Sequence, residues 1–240
     1  MTDAMTPHEI SPGLVIQGFT PPLRLRDFRL AAFDMDSTLI NIECIDEIAA
    51  AAGRKAEVAA ITEAAMRGEI TDFKDSLRRR LALLKGVPES ALHEVLHERL
   101  QFNPGARELT AAMKAAGLKL VLVSGGFTFF TRFVAAELGM DFVRSNELEF
   151  KDGALTGGLV EQPWGDICDG AEKRRMLLEC AAAIGATPAQ AIAVGDGAND
   201  LLMMGAAGLS VAYHAKPKVR EQAMVAINEG GLDRLLGLLN

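Results

Sequence analysis

The 240-residue sequence predicts an α/β fold, a parallel-sheet core with a block of helices inserted just after the first core strand. Three observations predict it. Apolar runs of strand length alternate with amphipathic helical stretches. The segment from Glu43 to about Leu100 carries helical patterns and no good strand. Three of the apolar runs end on polar turns rich in Asp, Ser and Gly. With 49% of residues hydrophobic and 24% charged, the chain can bury a sizeable core.

Taken in order, residues 1–29 form an N-terminal extension. "MTDAMTPHEISPG" carries Asp3 and Glu9 and has no continuous apolar segment, so it does not read as a signal peptide. "GLVIQGF" is a candidate edge strand. The core strands are "LAAF" (30–33), "KLVLV" (119–123), "AIAV" (191–194) and "LSVAY" (209–213). Between the first two lie "CIDEIAAAAG", "AEVAAITEAAMRG", "DFKDSLRRRLALLKG" and "PESALHEVLHERL", helical segments punctuated by glycine or proline. "FNPGA" at 102–106 marks the return to the core. The expected organisation is therefore an extension (1–29), a core (30–42 and 101–240) and a helical insert (43–100).

Composition excludes several roles. No run approaches the roughly 18 apolar residues of a membrane span. A net charge of −7 disfavours nucleic acid or an anionic membrane surface as partner, so an anionic substrate needs its own local basic groups. The three cysteines, Cys44, Cys168 and Cys180, have no CxxC spacing, which fits reduced thiols in the cytoplasm rather than a disulfide framework.

After "LAAF" comes Asp34-Met35-Asp36-Ser37-Thr38, after "KLVLV" Ser124-Gly125-Gly126, and after "AIAV" Gly195-Asp196-Gly197-Ala198-Asn199-Asp200. Each alone has a plain reading as a turn or cap. "GDGAND" also resembles part of a calcium loop, but the following "LLMMGA" lacks the ligand Glu. In open α/β sheets, ligands bind at the carboxyl ends of the strands. The three turns should therefore converge. Asp34 and Asp36 with Asp196 make a hard, oxygen-rich site suited to Mg²⁺ beside a phosphate. A carboxylate can also attack phosphorus, splitting hydrolysis into two easier steps. That reaction needs N–H groups and a lysine around the phosphoryl oxygens. Ser124 and the glycine amides supply the first. The second is Lys173 in "GAEKRRM", where three basic residues adjoin and the pattern alone does not single one out.

"DMDST", "VSGG", a downstream lysine and "GDGAND", in this order, resemble the haloacid dehalogenase superfamily, and "DMDSTLINIECIDEIA" is similar to its phosphoserine phosphatases. The resemblance spans Leu30 to about Lys218 and implies a Rossmann-like core with a helical cap. It implies Asp34 as nucleophile and Asp36 as general acid and base. Mg²⁺ is then held by Asp34, the Asp36 backbone carbonyl and Asp196, with Asp200 behind them. Ser124, Gly125 and Lys173 become phosphate contacts, and Asn199 a further substrate contact. In the cap, Glu43 matches the carboxylate that pairs with a substrate ammonium, Arg80 the guanidinium that clamps its carboxylate, and Met66 and Phe73 apolar walls. "MRGEITDF" is one residue longer than the family pattern. The implied activity is Mg²⁺-dependent hydrolysis of phosphoserine, the last step of serine biosynthesis, in the cytoplasm.

Other readings compete. "HEVLH" satisfies the H-E-x-x-H zinc pattern at His93 and His97, but "HERLQFNPGA" offers neither the glycine nor the third histidine of the extended motif. A solvated helix face over a buried stripe of Leu92, Val95, Leu96 and Leu100 explains it better. An aspartyl-phosphate could instead pass its phosphoryl group to another alcohol, or the substrate could be a different small phosphomonoester. A pure ligand sensor on the same fold has no need of both Asp34 and Asp36.

Overall fold

Runs of four or five apolar residues with no period-2 alternation should be strands covered on both faces, and Leu30–Phe33, Ala191–Gly195 and Leu209–Tyr213 are buried at every position. The structure, a computed structural model, describes residues 6–66, 70 and 72–240. Among these, the strands are β1 (His8–Ser11), β2 (Leu14–Ile16), β3 (Leu30–Phe33), β4 (Lys119–Phe127), β5 (Phe142–Lys151), β6 (Ala154–Val160), β7 (Ala191–Gly195), β8 (Leu209–Tyr213) and β9 (Val225–Ile227). They form one sheet in the order β1-β2-β9-β8-β7-β3-β4-β5-β6.

The α-helices α1 (Cys44–Ala51), α2 (Lys55–Met66), α3 (Phe73–Leu83) and α4 (Glu89–Glu94) follow β3, and α4 runs on into a single π turn, Val95–Arg99. The remaining α-helices are α5 (Ala106–Ala115), α6 (Thr128–Leu138), α7 (Gly170–Ala183), α8 (Leu201–Met204) and α9 (Pro217–Arg220). No helix of the described residues is long and apolar enough to cross a membrane.

Strand β3 is the pivot. It pairs in parallel with β4 on one side, Leu30 opposite Lys119, and with β7 on the other, Leu30 opposite Ala191. Alternate residues serve two cores: Ala31 and Phe33 with Leu120 and Leu122 on one face, Leu30 and Ala32 with Val121 and Val123 on the other. The chain leaves β3 toward β4 and β5 and later returns to β7 and β8. The carboxyl ends of β3, β4 and β7 thus meet at the switch point where such sheets bind ligands.

Two regions differ from the expectation. "GLVIQGF" contains β2, but β1 folds back outside it through a turn at Gly13 (φ 70°), so β2 is an inner strand held antiparallel against β9. At the opposite end, β5 and β6 form a hairpin whose turn, Asp152-Gly153, has positive φ at both residues (53° and 77°). Asp-Gly is favoured for this turn because its twist matches the strands. The outer edge of β6 is not left open. Gly86 N donates to Leu155 O at 2.8 Å, Leu155 N to Val87 O at 2.8 Å and Glu89 N to Gly153 O at 3.0 Å, so the α3–α4 connection pairs with the hairpin.

Candidate active site

Asp34 is the first residue beyond β3, and its N–H still donates to Val194 O of β7 at 3.0 Å. The chain then turns sharply. Met35 O accepts from the amides of Thr38, Leu39 and Ile40 (3.2, 2.9 and 3.1 Å), and Ser37 takes the left-handed conformation at φ 55°. This turn brings Asp34 and Asp36 to the wall of one cavity of about 420 Å³, which Glu43, Phe73, Arg80, Ser124, Gly125, Asp196 and Asn199 also line. Asp36 Oδ2 accepts from Cys44 N, the first amide of α1, at 3.3 Å. Its Oδ1 is buried without a hydrogen-bond partner among the described residues.

Strand β4 runs on through Ser124-Gly125-Gly126 to Phe127, its register broken after Val123, and Ser124 Oγ accepts from Gly126 N at 2.9 Å. Gly125 packs closely against α3, since a Cβ there would lie 3.0 Å from the ring of Phe73. Buried Asn146 donates to Gly125 O at 2.7 Å and accepts from Cys168 N at 2.8 Å, tying this end of β4 to the entry of α7. That helix is capped by Asp169, which accepts from Glu172 N at 2.9 Å.

Of the three adjoining basic residues only Lys173 is fully buried, while Arg174 and Arg175 are exposed. Its Nζ lies 2.7 Å from Asp34 Oδ2 and 2.7 Å from Asp200 Oδ1. The other oxygen of Asp200 accepts from the amides of Asp196 and Gly197 at 3.1 and 3.0 Å. Gly195 admits this packing, since a Cβ there would lie 2.4 Å from Asp200 Cγ. Thr38 Oγ1 donates to Asp196 Oδ1 at 3.3 Å.

Carboxylate oxygens of Asp34, Asp196 and Asp200 lie within 4.8 Å of one another. The side-chain cluster thus contains Asp200, where the sequence reading used the backbone carbonyl of Asp36. Burial, and then Asp200, pushes Asp196 up to about 7. Burial, and then Glu43, pushes Asp36 to about 7 as well. Asp34 is raised well above the carboxylate range by burial and Asp200, although Lys173 pulls it back. For Lys173, burial alone would lower the value, but Asp200 and Asp34 outweigh it and hold it as an ammonium. One buried ammonium among these carboxylates leaves the site short of positive charge. That deficit and the all-oxygen donors of Asp34, Asp196 and Asp200 fit a hard divalent cation.

Glu43 occupies the N-cap position of α1 without a side-chain cap bond, and its Oε1 accepts from Ser37 Oγ at 2.6 Å. Arg80 sits in the last turn of α3, where burial lowers its pKa against the opposing pull of Asp46, Glu43 and Asp36. Met66 ends α2, but its side chain lies outside the described residues. Sequence reasoning missed Asp46 and Lys216, which line the same cavity. Asp46 had a signal, the i, i+3 spacing from Glu43. Lys216 had none, because only the tertiary fold brings it near Asp196, whose carbonyl accepts from its N–H at 3.2 Å.

His93 and His97 are exposed and stack at 6.1 Å, with His93 edge-on to Phe129 at 5.0 Å. Glu94 pairs with Arg99 at 2.6 Å. Neither histidine belongs to the metal-capable cluster found among the described residues.

Residues 31–205 match the model of the haloacid dehalogenase-like hydrolase family. The chain is 71% identical over 235 residues to the phosphoserine phosphatase of Polaromonas sp. strain JS666, covering 98% of this chain and 100% of that one. That span takes in nearly all of the N-terminal extension. It is 46% identical over 233 residues to the phosphoserine phosphatase of Haemophilus influenzae, covering 97% of this chain and 72% of the relative. Among solved structures it is similar to a phospho-aspartyl intermediate analogue of phosphoserine phosphatase, with 38% identity, a TM-score of 0.81, and coverage of 89% and 99% of the two chains.

Proposed function

This chain belongs to the haloacid dehalogenase-like hydrolases, and from that membership we propose how it acts as a phosphoserine phosphatase, releasing serine and phosphate through an aspartyl-phosphate on Asp34. The observation that carries the mechanism is the pairing of Asp34, bound to Lys173 at 2.7 Å, with Asp36 two residues on, whose buried Oδ1 is unpartnered. An Asp34 carboxylate oxygen attacks phosphorus in line while Asp36, protonated because burial raises its pKa to about 7, gives its proton to the departing serine oxygen. Asp36 then takes a proton from water, which attacks the aspartyl-phosphate and frees phosphate. Ser124 and the Gly125 amide hold the phosphoryl oxygens, and Lys173 neutralises charge beside them. Asp34, the Asp36 carbonyl and Asp196 would hold Mg²⁺, with Asp200 behind them. The ion supplies Lewis-acid neutralisation of the phosphoryl group.

We assign residues 43–100 as the cap that selects the substrate, with Glu43 facing the ammonium, Arg80 the carboxylate, Met66 and Phe73 the apolar walls, and Asn199 a further contact. We propose a cytoplasmic location, a reading that the three buried, unpaired cysteines support.

The reading is tested by phosphate release from a panel of phosphomonoesters. Phosphoserine should be turned over best, EDTA should silence the enzyme and Mg²⁺ restore it, while His93→Ala with His97→Ala leaves activity unchanged. Metal-independent turnover, or no preference for phosphoserine, would refute it.

Arg80 provides a separate check on selection. Breaking a buried charge pair costs roughly 3–5 kcal/mol, and a half-buried one less, about 2–3. At about 1.4 kcal/mol per tenfold, Arg80→Ala should lower kcat/KM for phosphoserine roughly 30- to 150-fold. An uncharged aryl phosphate should lose no more than a few-fold, and Arg79→Ala, an exposed neighbour paired to Asp75 at 2.8 Å, should change neither. Equal losses on both substrates in Arg80→Ala would rule out selection through this residue.

A further inference from the structure

Asp46 has no part in the mechanism above, yet it lines the cavity with Glu43, Arg80 and Asp36. It stands three residues after Glu43 in the first turn of α1, a spacing that puts both carboxylates on one helix face. Its N–H donates to Glu43 O at 3.1 Å, which fixes the two residues relative to each other. Its Oδ1 is buried and has no hydrogen-bond partner among the described residues. A buried acceptor left unpaired is costly, so packing alone gives no reason for an aspartate here. An acidic residue in the first turn of a helix is favoured by the helix dipole, but that benefit does not require a carboxylate at the wall of this cavity.

The chemistry of the substrate supplies the missing partner. An alkylammonium carries three N–H donors. Glu43 has one oxygen already engaged by Ser37 Oγ at 2.6 Å, so a second carboxylate nearby would let the three donors point in different directions and still be accepted. We propose that the Asp46 carboxylate is the second acceptor for the substrate ammonium, so that Glu43 and Asp46 form a two-carboxylate clamp selecting phosphomonoesters that carry an amino group. This inference rests on the phosphoserine reading. The competing role for Asp46 is to position Arg80, whose positive charge pulls its carboxyl down against the upward push of burial.

Three substrates separate these roles when assayed with Asp46→Asn and the parent enzyme, both loaded with Mg²⁺: phosphoserine, phosphoethanolamine, which lacks the carboxylate, and the phosphate ester of 3-hydroxypropanoate, which lacks the ammonium. A hydrogen bond to a charged group has the strength to lower kcat/KM for the first two about 10- to 30-fold. The third should change less than about twofold. A loss that follows the carboxylate, striking phosphoserine and the hydroxypropanoate ester, would assign Asp46 to Arg80 and overturn the clamp. A uniform loss on all three, or none on any, would overturn it as well. If Asp46→Asn does not fold, Asp46→Ser must give the same pattern, and failure of both to fold makes the residue structural and refutes the clamp. A parent enzyme inactive on phosphoserine would instead sink the underlying reading.

Discussion

Asp34→Asn should abolish turnover and leave no acid-stable, hydroxylamine-sensitive phosphoenzyme, while phosphoserine still binds. An amide nitrogen or oxygen cannot form the acyl-phosphate that splits the reaction in two, and removing an enzymic nucleophile typically costs roughly 10⁴- to 10⁶-fold in kcat. The variant should stay folded. Asparagine keeps the volume of Asp34 and an oxygen for Lys173 Nζ, and Lys173 retains Asp200 at 2.7 Å. Acid-quenched incubation with radiolabelled phosphoserine reads the intermediate, and titration calorimetry reads the binding. Turnover near the parent rate, or label that persists on the variant, would show that another group takes the phosphoryl.

Lys173→Met should do two kinds of damage. It leaves two buried carboxylates, Asp34 and Asp200, facing each other without their shared cation. Breaking a buried pair costs about 3–5 kcal/mol, which denaturant unfolding in EDTA at neutral pH would read directly. The sign with pH follows. Burial and its acidic neighbours already raise Asp34 above its unfolded value, and without the ammonium it rises further, so the variant recovers stability as Asp34 is protonated toward acid and loses it as pH rises. Activity should fall about 10²- to 10³-fold, the usual loss when one donor to a developing anion is removed. Arg174→Met, one residue away and exposed, is the control and should change neither property. A Lys173→Met protein as stable as the parent would mean that the ammonium does not hold these carboxylates together.

The legible parts of the fold were those in which local pattern and tertiary role coincide. "LAAF", "AIAV" and "LSVAY" lack period-2 alternation because both faces are buried, and the same feature identified them as strands of a covered parallel sheet. The β5–β6 hairpin is not legible as an apolar pattern because its residues, "FVRSNELEFK" and "ALTGGLV", are half-exposed and interleaved with charge, so no apolar run marks them. The Asp152-Gly153 turn was the available signal. In the site, Asp34, Asp36, Ser124 and Asp196 stood out as polar residues at strand ends. Lys173 did not, because its burial beside Arg174 and Arg175 follows from how α7 packs on β3, and sequence adjacency carries no such information. Asp46 was hidden in an alanine-rich helix as one more acidic residue of its first turn.

The pairing of Gly86–Glu89 with the outer edge of β6 bears on how such proteins can be recombined. The helical segment 43–100 leaves and rejoins the core at adjacent points, which invites its treatment as a cassette to be exchanged among relatives. Its α3–α4 connection, however, completes the ladder of a hairpin encoded some 65 residues later, through the amides of Gly86, Leu155 and Glu89. Gly157 (φ 85°) is part of the same joint, since a Cβ there would come within 3.2 Å of Leu81 O in α3. A graft of the helices alone brings a foreign backbone to this ladder and exposes the strand edge it should cover. On the proposed role of the cap, the unit to exchange is therefore discontinuous: residues 43–100 together with the hairpin 142–160, two stretches of gene that have to travel together.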